Sequence, residues 1–254
     1  MLNIALVVPC LNDAELLARC LASFRSQTRP LNQIIVVDNG STDSSAAVAA
    51  SFGARVVSEP RRGITWAARA GYDAAFAHGA DLIVRTDADA WAGPTFVEEL
   101  VAQFASLLDA SSEHTACPVG ITGGAAFDLP VGGALLARLY LGAYRASVGS
   151  ALGHPPFFGT NCAFFARWWG EVRSTVDSAD TFVHDDIQLS FAVRPHETVL
   201  YSPRPSVRMD SRALRGGAQL RRRFRRGWYS MLRGFQSSPP PQRLLARWAS
   251  TREA

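Results

Sequence analysis

The 254-residue chain contains no lysine, so all 26 of its basic side chains (histidine aside) are arginines. Its four cysteines, Cys10, Cys20, Cys117 and Cys162, show no short paired spacing. That argues against a disulfide framework and predicts four reduced thiols in a cytosolic protein. No apolar run reaches the roughly 18 uncharged residues that a membrane-spanning helix needs. Residues 1–8 lack the basic start and cleavage site of a secretory signal and lead straight into a strand-like segment. Hydrophobic residues make up 48% of the chain and charged residues 19%, which excludes a disordered chain and leaves one large domain with an extension as the expectation. Acids are scarce at one end. Residues 194–254 hold 14 arginines against Glu197, Asp210 and Glu253, a charge of +11, while residues 1–193 hold 12 arginines against 19 acids, a charge of −7. The net charge of +4 therefore averages an acidic body and a basic tail. Without lysine, contacts to phosphate fall to arginine, backbone amides or a metal.

The first half alternates two patterns. Residues 3–8, 33–37, 54–58 and 81–85 are short runs rich in apolar and β-branched residues, which predict buried strands. Residues 13–27, 44–52, 65–78 and 94–108 carry helical spacing, with Asp13 suited to cap the first helix. Strand and helix in alternation imply a parallel sheet with right-handed crossovers. Ligands of such sheets bind at the carboxyl ends of the strands, so the loops after Val8, Val37, Ser58 and Arg85 are the places to search. In the second half, strands are expected over 114–122, 161–165, 198–201 and 206–209, and helices over 133–152, 186–193 and 219–235. Residues 237–242 (SSPPPQ) read as a linker or stop, and the last dozen residues as fraying.

Three segments at those strand ends carry chemistry. Val8-Pro9-Cys10-Leu11-Asn12 follows the first strand, Asp38-Asn39-Gly40-Ser41-Thr42-Asp43 the second, and Asp87-Ala88-Asp89 the fourth. Two carboxylates one residue apart suit a hard divalent cation that also takes phosphate oxygens. By itself such a pair is common in loops, and Asp38 to Asp43 reads equally as a turn and a helix cap.

Together, in this order and at this spacing, the three segments resemble the family-2 glycosyltransferases of GT-A fold, over about residues 1–100 and in patches beyond. The resemblance implies an α/β fold, a Rossmann-like mainly parallel sheet flanked by helices with a C-terminal helical extension. It implies metal-dependent, inverting transfer from a UDP- or GDP-linked sugar to an acceptor hydroxyl, with Mn²⁺ or Mg²⁺ as cofactor. By the same resemblance Pro9, Leu11, Asn12 and Asp13 line the nucleotide pocket and Asp38 contacts the base. Arg62 and Gly63 begin a loop over the nucleotide, with Arg69 on the helix behind it. Asp87 and Ala88 lie on the ribose or diphosphate, and Asp89, with Asp87, holds the metal. Ala70 departs from the family pattern, which often has asparagine there.

Two later patches extend the match. Gly159-Thr160-Asn161-Cys162-Ala163 is similar to the segment beside the acceptor and donor sugar, which places Gly159 and Asn161 there. His184-Asp185-Asp186-Ile187-Gln188 resembles the segment that carries the base, with Gln188 where the family has a second acid. An acid at a helix start is ordinary capping, but two adjacent acids exceed that need. Asp186 is expected to be the base, with Asp185 the alternative. His184 is a candidate to reach the metal or orient the acids, and the other histidines read as surface or satisfied loop residues.

The expected division is a catalytic domain over 1–210, with a nucleotide-binding half (1–110) and an acceptor-binding half (111–210), followed by a basic amphipathic extension over 211–254. In the latter, Leu220, Phe224, Trp228 and Met231 or Leu232 form an apolar stripe crowded by Arg221, Arg222, Arg223, Arg225 and Arg226. Three readings compete: packing on the acidic body, docking of residues 217–235 on an anionic membrane surface, or clamping of the donor diphosphate. The second would place the protein in the cytoplasm, peripheral to the inner face of the membrane. No nucleic-acid motif accompanies the arginines. A sugar-1-phosphate nucleotidyltransferase would want a glycine-rich loop after the first strand, where this chain has none. A non-catalytic nucleotide-binding relative is the other alternative, and the intact Asp87 and Asp89 argue against it.

Overall fold

A computed structural model describes residues 2–109, 116–214 and 217–250. Eight strands form one sheet in the order β3-β2-β1-β4-β7-β6-β8-β5. The first half of the chain supplies β1 (Ile4–Cys10), β2 (Gln33–Asp38), β3 (Arg55–Ser58) and β4 (Leu82–Arg85), all parallel, with α1 (Ala14–Arg25), α2 (Ser45–Ser51) and α3 (Ile64–Ala77) as crossovers. Every residue of β1 is buried, as befits a strand covered on both faces. Strand order reverses at β1, between β2 and β4, and a crevice opens at their carboxyl ends.

The sheet is mixed beyond β4. After β5 (Ala90–Ala92) and α4 (Phe96–Asp109) come β6 (Cys117–Phe127), β7 (Cys162–Phe165) and β8 (Glu197–Met209). β7 is antiparallel to both β4 and β6, β8 is parallel to β6, and β5 closes the far edge antiparallel to β8. β5 is not expected from the sequence, because three residues after an acidic turn carry no periodicity. Two short strands were expected where β8 runs as one. Pro203 and Pro205 interrupt the pattern, and the ladder with β6 survives through a register shift between Thr122 and Gly124. The start of the strand expected at His114 lies outside the described residues.

Helices cover the faces. α5 (Gly133–Tyr144) continues through a π turn at Arg145–Gly149 into α6 (Ser150–Leu152), which matches the expected 133–152 helix. α7 (Ala166–Val172) buries Trp168 and Trp169 and has no counterpart in the sequence reading. α8 (Asp185–Phe191) and α9 (Gly217–Ser237) pack with α6, sharing Leu152, Ile187 and Met231 as a small second core. The four cysteines are free thiols, three of them buried.

The stop expected at 237–242 is there, since α9 ends at Ser237, but residues 240–250 form a helix in place of a linker and frayed end. α10 (Pro240–Ser250) starts on proline, which suits a first helical turn. It is built inside out. Arg243 and Arg247 are buried, while Leu244, Leu245 and Trp248 are exposed. Arg243 donates to the carbonyls of Leu152 (3.1 Å), Phe191 (3.1 Å) and Val193 (2.7 Å), so it satisfies carbonyls that the ends of α6 and α8 leave open. Burial brings its guanidinium down to about 10. His154 beside it is also buried rather than on the surface, and burial pushes its imidazole down to about 3, a neutral ring.

Candidate active site

The carboxyl ends of β1, β2 and β4 gather the first three motifs. After β1, Asn12 takes the left-handed conformation (φ 52°), and its Oδ1 accepts the Thr42 amide at 2.7 Å. After β2, Asp38 Oδ1 accepts the Ser41 amide at 2.9 Å. Asn39, which the sequence reading left without a role, is buried and ties down the next loop. It donates to the carbonyls of Glu59 (2.8 Å) and Arg61 (2.7 Å) and accepts the Gly63 amide (2.9 Å). Gly63 sits at φ 138°, and a Cβ there would come within 2.7 Å of Thr181, so only glycine closes this loop against the 181 segment.

Asp13 stands at the N-cap position of α1, yet it makes no capping hydrogen bond. Asp43 supplies one instead, accepting the Ala14 amide at 3.1 Å. The Asp13 carboxylate is engaged by both guanidinium Nη groups of Arg212, and the Nε of that arginine reaches Asp89 Oδ2 at 3.1 Å. Arg212 thus bridges the ends of β1 and β4 from the turn after β8. Burial, with the nearby charge of Asp87, pushes the Asp89 carboxyl up to about 6, and Arg212 works against that rise.

Asp87 is held from two sides. Arg85 Nη1 lies 2.7 Å from Oδ1, and the Thr160 hydroxyl donates to Oδ2 at 2.5 Å. The same Arg85 is 3% exposed and extends to Asp185, with Nη2 3.2 Å from Oδ2. Asp186 Oδ2 accepts the Gly159 amide at 3.0 Å, and its Oδ1 accepts the Ile187 amide at 2.8 Å. Burial raises the Asp185 carboxyl to about 6, against the opposing pull of Arg85. The acid pair of β4 and the acid pair of α8 are therefore neighbours, joined through Arg85 and the 159–160 turn. The sequence does carry a trace of Arg85: it stands two residues before Asp87, the period that shares a face along a strand.

Several expected residues lie differently. Asn161 is buried, and its amide donates to the carbonyls of Gly124 (2.7 Å) and Pro205 (3.0 Å), where it bridges the shifted β6–β8 ladder. Arg69 donates to the Val176 carbonyl at 3.0 Å and pairs with Asp73 at 3.7 Å. His184 faces α9: its amide donates to the Ser230 hydroxyl at 2.8 Å, and its ring Nε2 lies 3.4 Å from the Arg223 carbonyl. Pro9 ends in the β1 ladder beside Val37, and Leu11 is exposed at the mouth of the crevice.

α9 packs on the body with a polar and small face. Arg226 donates to the carbonyls of Phe182 (2.9 Å) and Val183 (2.9 Å), Tyr229 to Asp180 (2.9 Å), and Met231 is buried. Of the apolar stripe, Met231 lies on that face and the rest of the described side chains lie off it. Phe224 (66%), Trp228 (68%) and Leu232 (45%) are exposed, among the exposed Arg221, Arg222, Arg223 and Arg225. The side chain of Leu220 lies outside the described residues.

One outcome follows for Asp89. A carboxyl whose folded value lies above its unfolded one makes the folded state bind more protons between the two, so stability falls as pH rises through about 4 to 6. In the metal-free protein, Asp89→Asn is expected to raise the melting midpoint at pH 7.5, a gain that shrinks toward pH 4. Thermal melts across that range check it, and a variant that melts lower than wild type at pH 7.5 contradicts it.

Residues 5–111 match the family model described as Glycosyl transferase family 2. The chain is 49% identical over 72 residues to the uncharacterised glycosyltransferase Rv0539 of Mycobacterium tuberculosis, and 43% identical over 61 residues to Protein RfbJ of Shigella flexneri. The first match covers 28% of this chain and 31% of the relative, the second 24% and 46%, so the matched stretch spans less than half the length of either. Among solved structures, the mannosyltransferase PcManGT from Pyrobaculum calidifontis, in complex with GDP-Man and Mn²⁺, superposes with a TM-score of 0.60 at 17% identity, covering 98% of this chain and 73% of that one. The glucosyl-3-phosphoglycerate synthase of Mycobacterium tuberculosis, in complex with phosphoglyceric acid, gives a TM-score of 0.56 at 21% identity, covering 91% and 79%. Residues 5–111 thus resemble glycosyl transferase family 2, and the chain shares the GT-A fold of these solved glycosyltransferases.

Proposed function

We propose that the chain transfers a sugar from a nucleoside-diphosphate sugar to an acceptor hydroxyl in a single inverting displacement, with residues 1–210 as the catalytic unit. The observation that carries this reading is the meeting of the two acid pairs: Asp87 and Asp89 after β4, and Asp185 and Asp186 at the start of α8, linked through buried Arg85. One pair faces the crevice where α/β sheets bind nucleotides, and the other offers a base beside it.

Asp89 and Asp87 would hold Mn²⁺ or Mg²⁺. The donor set fits such an ion. Burial, with the charge of Asp87 beside it, raises Asp89, and a cationic group, the Arg212 guanidinium, already rests against Asp89. Among the described residues no cluster of three or more histidine, cysteine, aspartate or glutamate ligands is gathered, so the remaining positions would fall to diphosphate oxygens and water. The cation supplies charge to offset that developing on the leaving nucleotide diphosphate. The PcManGT complex with GDP-Man and Mn²⁺ supports this choice of donor class and metal.

Asp38 and the loop from Glu59 to Gly63, held by Asn39, would receive the base, and Asn12 with Asp13 the ribose side. Asp186 removes the proton of the acceptor hydroxyl as the oxygen attacks the anomeric carbon, and the bond to the diphosphate oxygen breaks on the opposite face. The two backbone amides on its carboxylate fix its orientation. Asp186→Asn is expected to lower transfer by at least about 100-fold, the scale of a general base, while Mn²⁺–nucleotide binding persists. Wild-type turnover in that variant would rule Asp186 out.

The extension supports a membrane reading as well. No described helix is long and apolar enough to cross a bilayer. Residues 211–250 nevertheless contain no acid, and α9 and α10 turn Phe224, Trp228, Leu232, Leu244, Leu245 and Trp248 outward beside the exposed Arg221, Arg222, Arg223 and Arg225 of α9. Apolar and aromatic residues interleaved with arginine suit the interface of an anionic bilayer. Vesicles with about one-third phosphatidylserine, a charge density that draws roughly 1 kcal/mol per arginine, are expected to sediment the protein, and phosphatidylcholine vesicles are not. Replacing Arg221, Arg222 and Arg225 by Gln should abolish sedimentation, and equal binding to both vesicle types would refute electrostatic docking.

A further inference from the structure

Arg85 is the last residue of a strand whose other members, Leu82, Ile83 and Val84, are apolar core. A guanidinium in that position is expensive. Moving a charge out of water costs several kcal/mol and is repaid only by close partners, and an apolar side chain of similar volume would often serve stability equally well. Its partners are two carboxylates from distant parts of the chain, Asp87 at 2.7 Å and Asp185 at 3.2 Å.

The arrangement is not one optimised for stability. Arg85 Nε has no hydrogen-bond partner, and Asp185 Oδ2, though within ion-pair distance, accepts no hydrogen bond. Buried polar groups left in this way call for an explanation other than stability. The surroundings are shaped to the guanidinium as well. A Cβ on Gly159 would approach Arg85 Nη1 to 2.6 Å and Cζ to 2.8 Å, so the turn at 159–160 closes only because that residue is glycine. This turn donates the Gly159 amide to Asp186 and the Thr160 hydroxyl to Asp87. One buried side chain therefore touches Asp87, Asp185 and the turn that orients Asp186.

We propose that Arg85 is a positioning residue: it sets the spacing between the donor-side acid Asp87 and the base-side acids Asp185 and Asp186, acting through Asp185 and the Gly159 turn rather than on the substrate. The inference rests on the reading of Asp186 as the base. It makes Arg85 a determinant of turnover and leaves donor binding to Asp87, which the Thr160 hydroxyl also holds, to Asp89 and to the β1 and β2 loops. Lysine in its place would keep the charge and lose the two-pronged geometry.

The test is a double-mutant cycle on Arg85→Gln and Asp185→Asn. It is read by initial rates with the donor that wild type turns over, UDP-glucose and GDP-mannose tried first, and by calorimetric binding of UDP and GDP with Mn²⁺. Each single variant is expected to lower kcat by about 30-fold or more with nucleotide Kd within about threefold, and the double variant to be no slower than the worse single. Arg85→Lys is expected to recover part of the loss. Multiplicative losses in the double variant, or parallel losses of kcat and nucleotide affinity, would overturn the proposal. Where Arg85→Gln does not fold, Gly159→Ala keeps the arginine and displaces it. It should show the same kcat-selective loss, and wild-type kcat in folded Gly159→Ala counts against positioning.

A readout independent of any donor is hydrogen exchange at the Gly159 and Ile187 amides, both of which donate to Asp186. Both are expected to exchange faster in Arg85→Gln or Gly159→Ala while the β1 amides keep their protection. Unchanged exchange at both sites overturns the proposal. Failure of the base reading looks different: Asp186→Asn would keep wild-type turnover, whatever the coupling between Arg85 and Asp185.

Discussion

Much of the site depends on one buried ion-pair cluster. Asp87, Asp185 and Asp186 converge on the carboxyl edge of the sheet, where like charges in partial burial repel one another. The Arg85 guanidinium, 3% exposed, is the positive charge placed among them. Without a cation there, the turn after β4 that carries Asp87 and the helix that begins at Asp185 would present bare negative charge to each other across a few ångströms. The cluster also explains the neighbouring glycine, since Gly159 leaves the room that the guanidinium occupies. At the outer rim Arg212 does the same for Asp13 and Asp89. Two arginines thus neutralise an acidic crevice, one permanently buried and one from a surface turn.

This places the uneven charge of the chain in space. Part of the −7 of residues 1–193 is the crevice itself, and the tail sends back Arg212 to meet it. The remaining arginines divide by partner. Arg226, Arg243 and Arg247 point inward and are satisfied largely by backbone carbonyls, which burial makes valuable acceptors. Arg221, Arg222, Arg223 and Arg225 point outward. A sum of charge along the sequence cannot separate these uses, because helix phase and contacts decide them.

The first hundred residues were legible because their signals are local. Strands buried on both faces read as apolar runs, crossover helices show their period, and Asp38 and Asp87 stand directly at strand ends. Three kinds of feature were not. β5, and the antiparallel direction of β7 though not its presence, depend on pairing between residues far apart, which no short window contains. α10 hides its arginines and exposes its leucines, the reverse of the pattern from which burial is ordinarily inferred. Asn161 looked like a ligand residue because of its neighbours in sequence, yet its amide is spent where the β6–β8 ladder shifts register. Arg85 and Thr160 matter for the opposite reason: their own segments do not show their partners, and their role exists only where β4 meets the turn before β7.

The central claim is that the Asp87–Asp89 crevice binds a nucleoside diphosphate through a divalent cation. Isothermal titration of UDP and GDP into the protein, with Mn²⁺ and again with EDTA, tests it most directly. The account predicts that one of the two nucleotides binds at least about tenfold more tightly with the metal, a difference of about 1.4 kcal/mol, and that Asp89→Asn removes the difference. Binding of equal strength with and without Mn²⁺, or a metal effect that survives in Asp89→Asn, would contradict it.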